Sequence, residues 1–128
     1  MKKHVYLLNY LKFRKVLDCL SELQYLQESN PSQQRKLIQE AENCLIDAIS
    51  EIALNCLKGN IPLKSCDFEN LSKFKNILRR LGKKASVKSR RKLLLQKGGQ
   101  LLPLLLPPVL SLISSLVGEL LAKKIRNE

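Results

Sequence analysis

Apolar positions along the N-terminal half recur at spacings of three and four, the interval that gathers side chains on one face of an α-helix. From Val5 to Leu26 the series is Leu7, Leu8, Leu11, Leu17, Leu20, Leu23 and Leu26, interleaved with Tyr6, Tyr10 and Phe13, and it predicts a first helix. Glu28-Ser-Asn-Pro-Ser32 ends that helix and starts the next. Asn30 suits an N-cap, and Pro31 suits the first helical position, where its missing N–H costs nothing. The second helix carries Leu37, Ile38, Ala41, Cys44, Leu45, Ala48, Ile49, Ile52, Ala53, Cys56 and Leu57 up to Gly59, with room for a break near Asn43. Gly59 suits a left-handed stop. After the turn Asn60-Ile-Pro62, Ser65 or Asp67 is placed to cap a third helix on Leu71, Phe74, Ile77, Leu78 and Leu81, closed by Gly82. Ser86 is placed to start a short fourth helix that ends at Gly98-Gly99.

The pattern then changes abruptly. From Gly98 to Gly118 there is no charged residue, and Leu and Pro dominate. Pro103, Pro107 and Pro108 predict an interruption, because each proline lacks a donor and clashes with the preceding turn. A helix that starts at Pro108 places Val109, Leu110, Leu112, Ile113, Leu116, Val117, Leu120 and Leu121 on a broad apolar face, preceded by Leu104, Leu105 and Leu106. Ser114, Gly118 and Ala122 form a small-residue ridge of the kind that lets helices approach in lipid. The expected fold is all-α: a small helical bundle with a basic helical arm and a C-terminal apolar helix. Its expected parts are a helical N-terminal unit at 1–64, the basic arm at 65–97, and a Gly-Gly hinge with a membrane-active helix at 98–128.

Charge sharpens this division. The net charge is +12, with 45% hydrophobic residues and only 5% aromatic ones, so the core must be built on aliphatic side chains. The first 70 residues are balanced in sign, whereas no acid occurs between Glu69 and Glu119. The cations in that interval include Lys73, Lys75, Arg79, Arg80, Lys83, Lys84, Lys88, Arg90, Arg91 and Lys92. Without acids at spacing four, they read as contacts to nucleic-acid phosphates, with anionic lipid headgroups and a plain solvated face as the other readings. No recognition helix for base readout is identifiable.

Little else in the chain suggests chemistry. Cys19, Cys44, Cys56 and Cys66 are far apart, contain no CxxC pair and have only His4 as a companion ligand, so zinc is not expected. Cys19, Cys44 and Cys56 fall on apolar stripes and are expected to be buried reduced thiols. No phosphate-binding loop or catalytic constellation appears, so neither an enzyme nor a cofactor is expected. The N-terminal apolar run is broken at Asn9, Lys12 and Arg14, and no signal-peptide core is read there.

The junction Arg90-Arg-Lys-Leu-Leu-Leu-Gln-Lys-Gly-Gly-Gln-Leu-Leu-Pro-Leu-Leu-Leu106 resembles the precursor of the adenovirus core protein X, or mu. It is also similar to small basic proteins of Polinton or Maverick elements and adintoviruses. That second likeness extends upstream to Ala48-Ile-Ser-Glu-Ile-Ala-Leu-Asn-Cys-Leu-Lys-Gly-Asn-Ile-Pro-Leu63. The resemblance implies a minor virion or core protein of an adenovirus-like integrating element, found in the virion and host nucleus. It also implies non-specific DNA binding, membrane perturbation by the C-terminal helix, and capsid proteins and a viral cysteine protease as partners. Cleavage by that protease would follow Gly98-Gly99, although Gln96 stands where such proteases favour an aliphatic residue. Alternatives outside this class are a tail-anchored membrane protein and a soluble helical adaptor with a nuclear import signal.

Overall fold

The computed structural model describes residues 12–83 and 85–126, with side chains as far as Gly118. Seven helices and no strand occur among the described residues: α1 (Arg14–Asp18), α2 (Leu20–Glu28), α3 (Pro31–Glu40), α4 (Asn43–Leu57), α5 (Ser65–Ser72), α6 (Lys75–Gly82) and α7 (Val87–Arg126). The fold is therefore all-α, as the periodicity predicts.

The second helix is divided at Ala41-Glu42, where both residues are extended. The start of α3 follows the sequence closely: Asn30 Oδ1 accepts from Gln33 N at 2.8 Å, and Gln33 Oε1 accepts from Asn30 N at 3.2 Å, a reciprocal cap with Pro31 at the first position. Gly59 ends the following helix at φ 74°. Two continuous stripes are broken instead. Cys19, at φ −115° and ψ 25°, separates α1 from α2, and Lys73-Phe74 separates α5 from α6. Lys64, rather than Ser65 or Asp67, stands at the N-cap of α5 and offers no side-chain bond.

The centre of the bundle is α4. Leu45, Ile46, Ala48, Ile49, Ile52 and Ala53 are all buried, together with the polar Ser50 and Asn55. A helix buried on so many sides needs neighbours on each, and α1, α6 and α7 pack around it. Its two buried polar residues are satisfied. Asn55 Nδ2 donates to the carbonyls of Lys12 and Glu51 at 2.9 Å each, and its Oδ1 accepts from Asn60 Nδ2 at 2.8 Å. Glu51 Oε1 accepts from Lys15 N and Val16 N, capping the first turn of α1 from another helix. Burial pushes the Glu51 carboxyl above its ordinary range, and those two backbone donors oppose the shift.

The largest departure from expectation is α7. It runs for 40 residues through Gly98-Gly99 and contains Pro103, Pro107 and Pro108, so the predicted fourth helix and apolar helix are one element. The boundary placed at 97/98 falls inside this helix. Its tolerance of proline has a geometric reason. Pro103 and Pro107 are exposed and Pro108 is partly so, whereas Leu101, Leu102, Leu105, Leu106, Val109, Leu110 and Ile113 face the core. The carbonyls left without donors, those of Gly99, Pro103 and Leu104, belong to the turn before each ring, toward solvent. Three interior prolines cost roughly 9 kcal/mol, while burying seven aliphatic side chains contributes at least about 10 kcal/mol. Burial wins.

Cys19 is buried, but Cys44 and Cys66 are exposed and Cys56 is intermediate, which corrects the expectation of burial for Cys44 and Cys56. Burial pushes the Cys19 thiol up to about 12, reinforced by the neighbouring Cys44 thiol, and pushes the Cys56 thiol up to about 11.

Candidate nucleic-acid interface

The local sequence of α6, Lys75-Asn-Ile-Leu-Arg-Arg-Leu-Gly82, has two sides. Leu78 and Leu81 are buried and Ile77 is half-buried, so Lys75, Arg79 and Arg80 are turned outward. Gly82 lies close to α4, where an added Cβ would stand 3.6 Å from Leu54 Cα. This contact fixes α6 against the central helix at its C-terminal end. The chain then turns tightly, with Ala85 N donating to Lys83 O at 2.7 Å, and enters α7 with Ser86 Oγ accepting from Ser89 N at 3.2 Å. This short connection brings the C-terminal end of α6 close to the start of α7.

Lys73, Lys75, Arg79, Arg80, Lys83, Lys88 and Lys92 are all exposed. Their side chains make no ion pair or hydrogen bond among the described residues, where the one salt bridge involves Arg90. Lys75 and Arg79 are four residues apart on α6, as are Lys88 and Lys92 on α7, and Lys83 follows α6 in extended backbone. On a helix that spacing aligns side chains in a ridge, with about 6 Å of rise between neighbours. The arrangement concentrates positive charge along the exposed side of α6 and along that of the first turns of α7.

Two predicted phosphate contacts are used differently. Arg90 Nη2 pairs with Asp47 Oδ1 at 2.8 Å, its Nη1 donates to Ser50 Oγ at 2.7 Å, and its Nε donates to Ala85 O at 3.2 Å. Arg91 Nη1 donates to the carbonyls of Ile38, Gln39 and Ala41 at 2.8, 3.2 and 2.6 Å. These are the unpaired carbonyls at the C-terminal end of α3, so Arg91 caps that helix from α7 and places a cation at the negative end of its dipole. Both arginines act within the fold. A signal for Arg91 exists in the sequence, since 31–40 has neither a stop glycine nor a basic residue in its last turn. No comparable signal marks the pairing of Arg90 with Asp47.

Arg35, which sequence reading passed over, donates from Nη1 to Leu95 O at 2.8 Å and ties α3 to α7. Lys97 is exposed and extends the cationic series along α7. Lys84 lies outside the described residues.

The residues predicted to meet lipid are divided by the fold. Leu105, Leu106, Val109, Leu110 and Ile113 are in the core; Leu104, Leu112 and Leu116 are half-buried; Val117 is exposed. The side chains of Leu120 and Leu121 lie outside the described residues. Gly98 is buried and Gly99 exposed, both within α7, so the predicted cleavage junction is helical. Among the described residues no three His, Cys, Asp or Glu side chains gather as a metal site. No family model, curated protein or solved structure matches this chain.

Proposed function

We propose that this chain is a non-enzymatic, genome-associated protein that holds duplex DNA by its phosphates, through the cations of α6, of its flanking residues Lys73 and Lys83, and of the first turns of α7. The observation that carries this reading is the set of seven exposed, unpaired cations between Lys73 and Lys92, in an interval without a single acid. Each Lys or Arg that neutralises a phosphate releases a counterion, so affinity is sequence-independent and falls steeply with salt. The Gly-Gly junction and its resemblance to small basic adenovirus-like proteins support a virion and host-nucleus setting, with capsid proteins and the viral protease as companions.

Titration of the full chain against mixed-sequence duplex DNA at several salt concentrations tests this. If all seven cations bear on the duplex, the slope of log K against log salt is roughly −6. Binding that is absent at low salt, or that ignores salt, refutes the proposal. The burial of Leu101 to Ile113 favours one second reading, a soluble helical adaptor that uses α7 as its core helix. Such an adaptor would show no salt-dependent DNA affinity.

A further inference from the structure

Gly98 and Gly99 stand in the interior of α7 without a steric reason. Neither has positive φ, a Cβ at Gly98 would meet only the Leu102 side chain at 3.6 Å or more, and a Cβ at Gly99 would meet nothing within 4 Å. A groove of about 460 Å³ lies beside them, lined in part by Pro31, Arg35, Leu95 and Leu102. Alanine would fit both positions and hold the helix better, because glycine has more backbone freedom to lose. Four residues on, Pro103 has no N–H for the Gly99 carbonyl, so the backbone is weakened twice in the same turn.

This weak turn coincides with a change in how α7 is held. The polar ties to the body are the Arg90 pairing with Asp47 and Ser50, the Arg91 cap on α3, and the Arg35 bond to Leu95 O, all before Gly98. Between residues 100 and 118 no side chain makes a hydrogen bond or ion pair among the described residues, and apolar packing alone holds the helix. Gly98 to Gly118 carries no charge, and the helix from Val87 to Gly118 is long and apolar enough to cross a membrane. Lipid tails are as apolar as leucine, so these side chains lose no burial by exchanging the core for acyl chains. What opposes the exchange is the apolar surface uncovered on the helices that α7 packs against, α2 to α6, and the loss of water by the carbonyls of Gly99, Pro103 and Leu104, which the prolines leave without donors.

We propose that Gly98-Gly99 is a hinge about which residues 100–118 leave the bundle and enter an anionic bilayer, while the half of α7 before Gly98 stays tied to the body. Lys88, Lys92 and Lys97 lie on the hinge's polar side, where headgroup phosphates attract them. This goes beyond DNA binding and does not depend on it.

The test uses the full chain and dye-loaded vesicles of phosphatidylcholine and phosphatidylglycerol. The unaltered chain releases dye. A Gly98→Ala/Gly99→Ala variant melts at a higher temperature and releases dye at least about tenfold more slowly. Gly118→Ala, where a Cβ also meets nothing within 4 Å, lies past the hinge and leaves release within about twofold. The chain has no tryptophan, so a Leu112→Trp reporter reads insertion directly through quenching by brominated lipid, which the alanine pair suppresses. Absence of both release and quenching overturns the proposal, as does an alanine pair that raises Tm yet leaves release unchanged. Neither result alters the salt-dependent DNA titration.

Discussion

Replacing Arg91 by alanine separates structural cations from those that face a ligand. The guanidinium donates from one nitrogen to three carbonyls at the end of α3, at 2.6 to 3.2 Å. A hydrogen bond from a charged donor contributes about 1.5–3 kcal/mol, and a cation at a helix C-terminus contributes about 0.3–1 kcal/mol. The three acceptors share two N–H groups and the side chain is half-buried, so the bonds are not additive. Loss of about 2–3 kcal/mol follows, nearer to one good bond plus the helix-end attraction than to three bonds. In a domain of this size each kcal/mol moves the midpoint by about 4 °C, and Arg91→Ala is expected to lower Tm by roughly 8–12 °C.

Lys92, the next residue, is exposed and without a partner. Lys92→Ala leaves stability within about 0.5 kcal/mol but lowers the magnitude of the DNA salt slope by about 0.9. Circular-dichroism melts and salt titrations of the two variants should therefore cross over, one losing stability and the other DNA affinity. An Arg91→Ala protein that melts within about 2 °C of the parent yet loses salt slope would refute the assignment of Arg91 to the fold.

Three further outcomes are expected. Because the folded-state pKa of Glu51 is raised, its contribution is full below the ordinary carboxylate range and lost as pH rises through the folded value. Urea midpoints at pH 4 and 7 should thus show the parent losing ground to Glu51→Gln as pH rises, and a parallel pair of profiles would contradict this. Under native alkylation Cys44 and Cys66 should react first, with Cys19 and Cys56 modified only on unfolding, as peptide mass mapping would show. Pro107→Ala restores a donor for the Pro103 carbonyl at an exposed position and should raise stability by about 1–3 kcal/mol in urea titration, whereas a loss would mean that the ring is packed rather than tolerated.

Elements governed by local chemistry were legible in the sequence. The cap at Asn30-Pro31 and the left-handed stop at Gly59 are each written within a few residues, and both stand where the pattern puts them. The breaks at Cys19 and Lys73-Phe74 carry no such mark, since no glycine or proline lies there. They arise from tertiary demands that periodicity does not encode. Part of that demand is visible at α1, where Glu51 of α4 supplies the cap that no residue near Phe13 provides.

The proline and arginine positions share one deeper reason for being misread. A rule such as the exclusion of proline from helix interiors describes an isolated helix, in which the lost hydrogen bond has nothing to offset it. In α7 the rings lie on the outer side and seven aliphatic residues on the inner one, so the sum of local costs and long-range burial changes sign. The basic run behaves in the same way. Ten cations read along the chain look alike, yet α3 ends without a stop of its own and Asp47 sits half-buried on α4, and each needs a positive group from elsewhere. Arg90 and Arg91 answer those needs, and Lys88 and Lys92 on the outer side of the same helix do not. Helical phase, which the sequence contains, separates the two sets once the buried face of α7 is known. That face is fixed by Leu93, Leu94, Leu101 and Leu102, so the leucines that seat α7 in the core also decide which cations remain free to meet a phosphate.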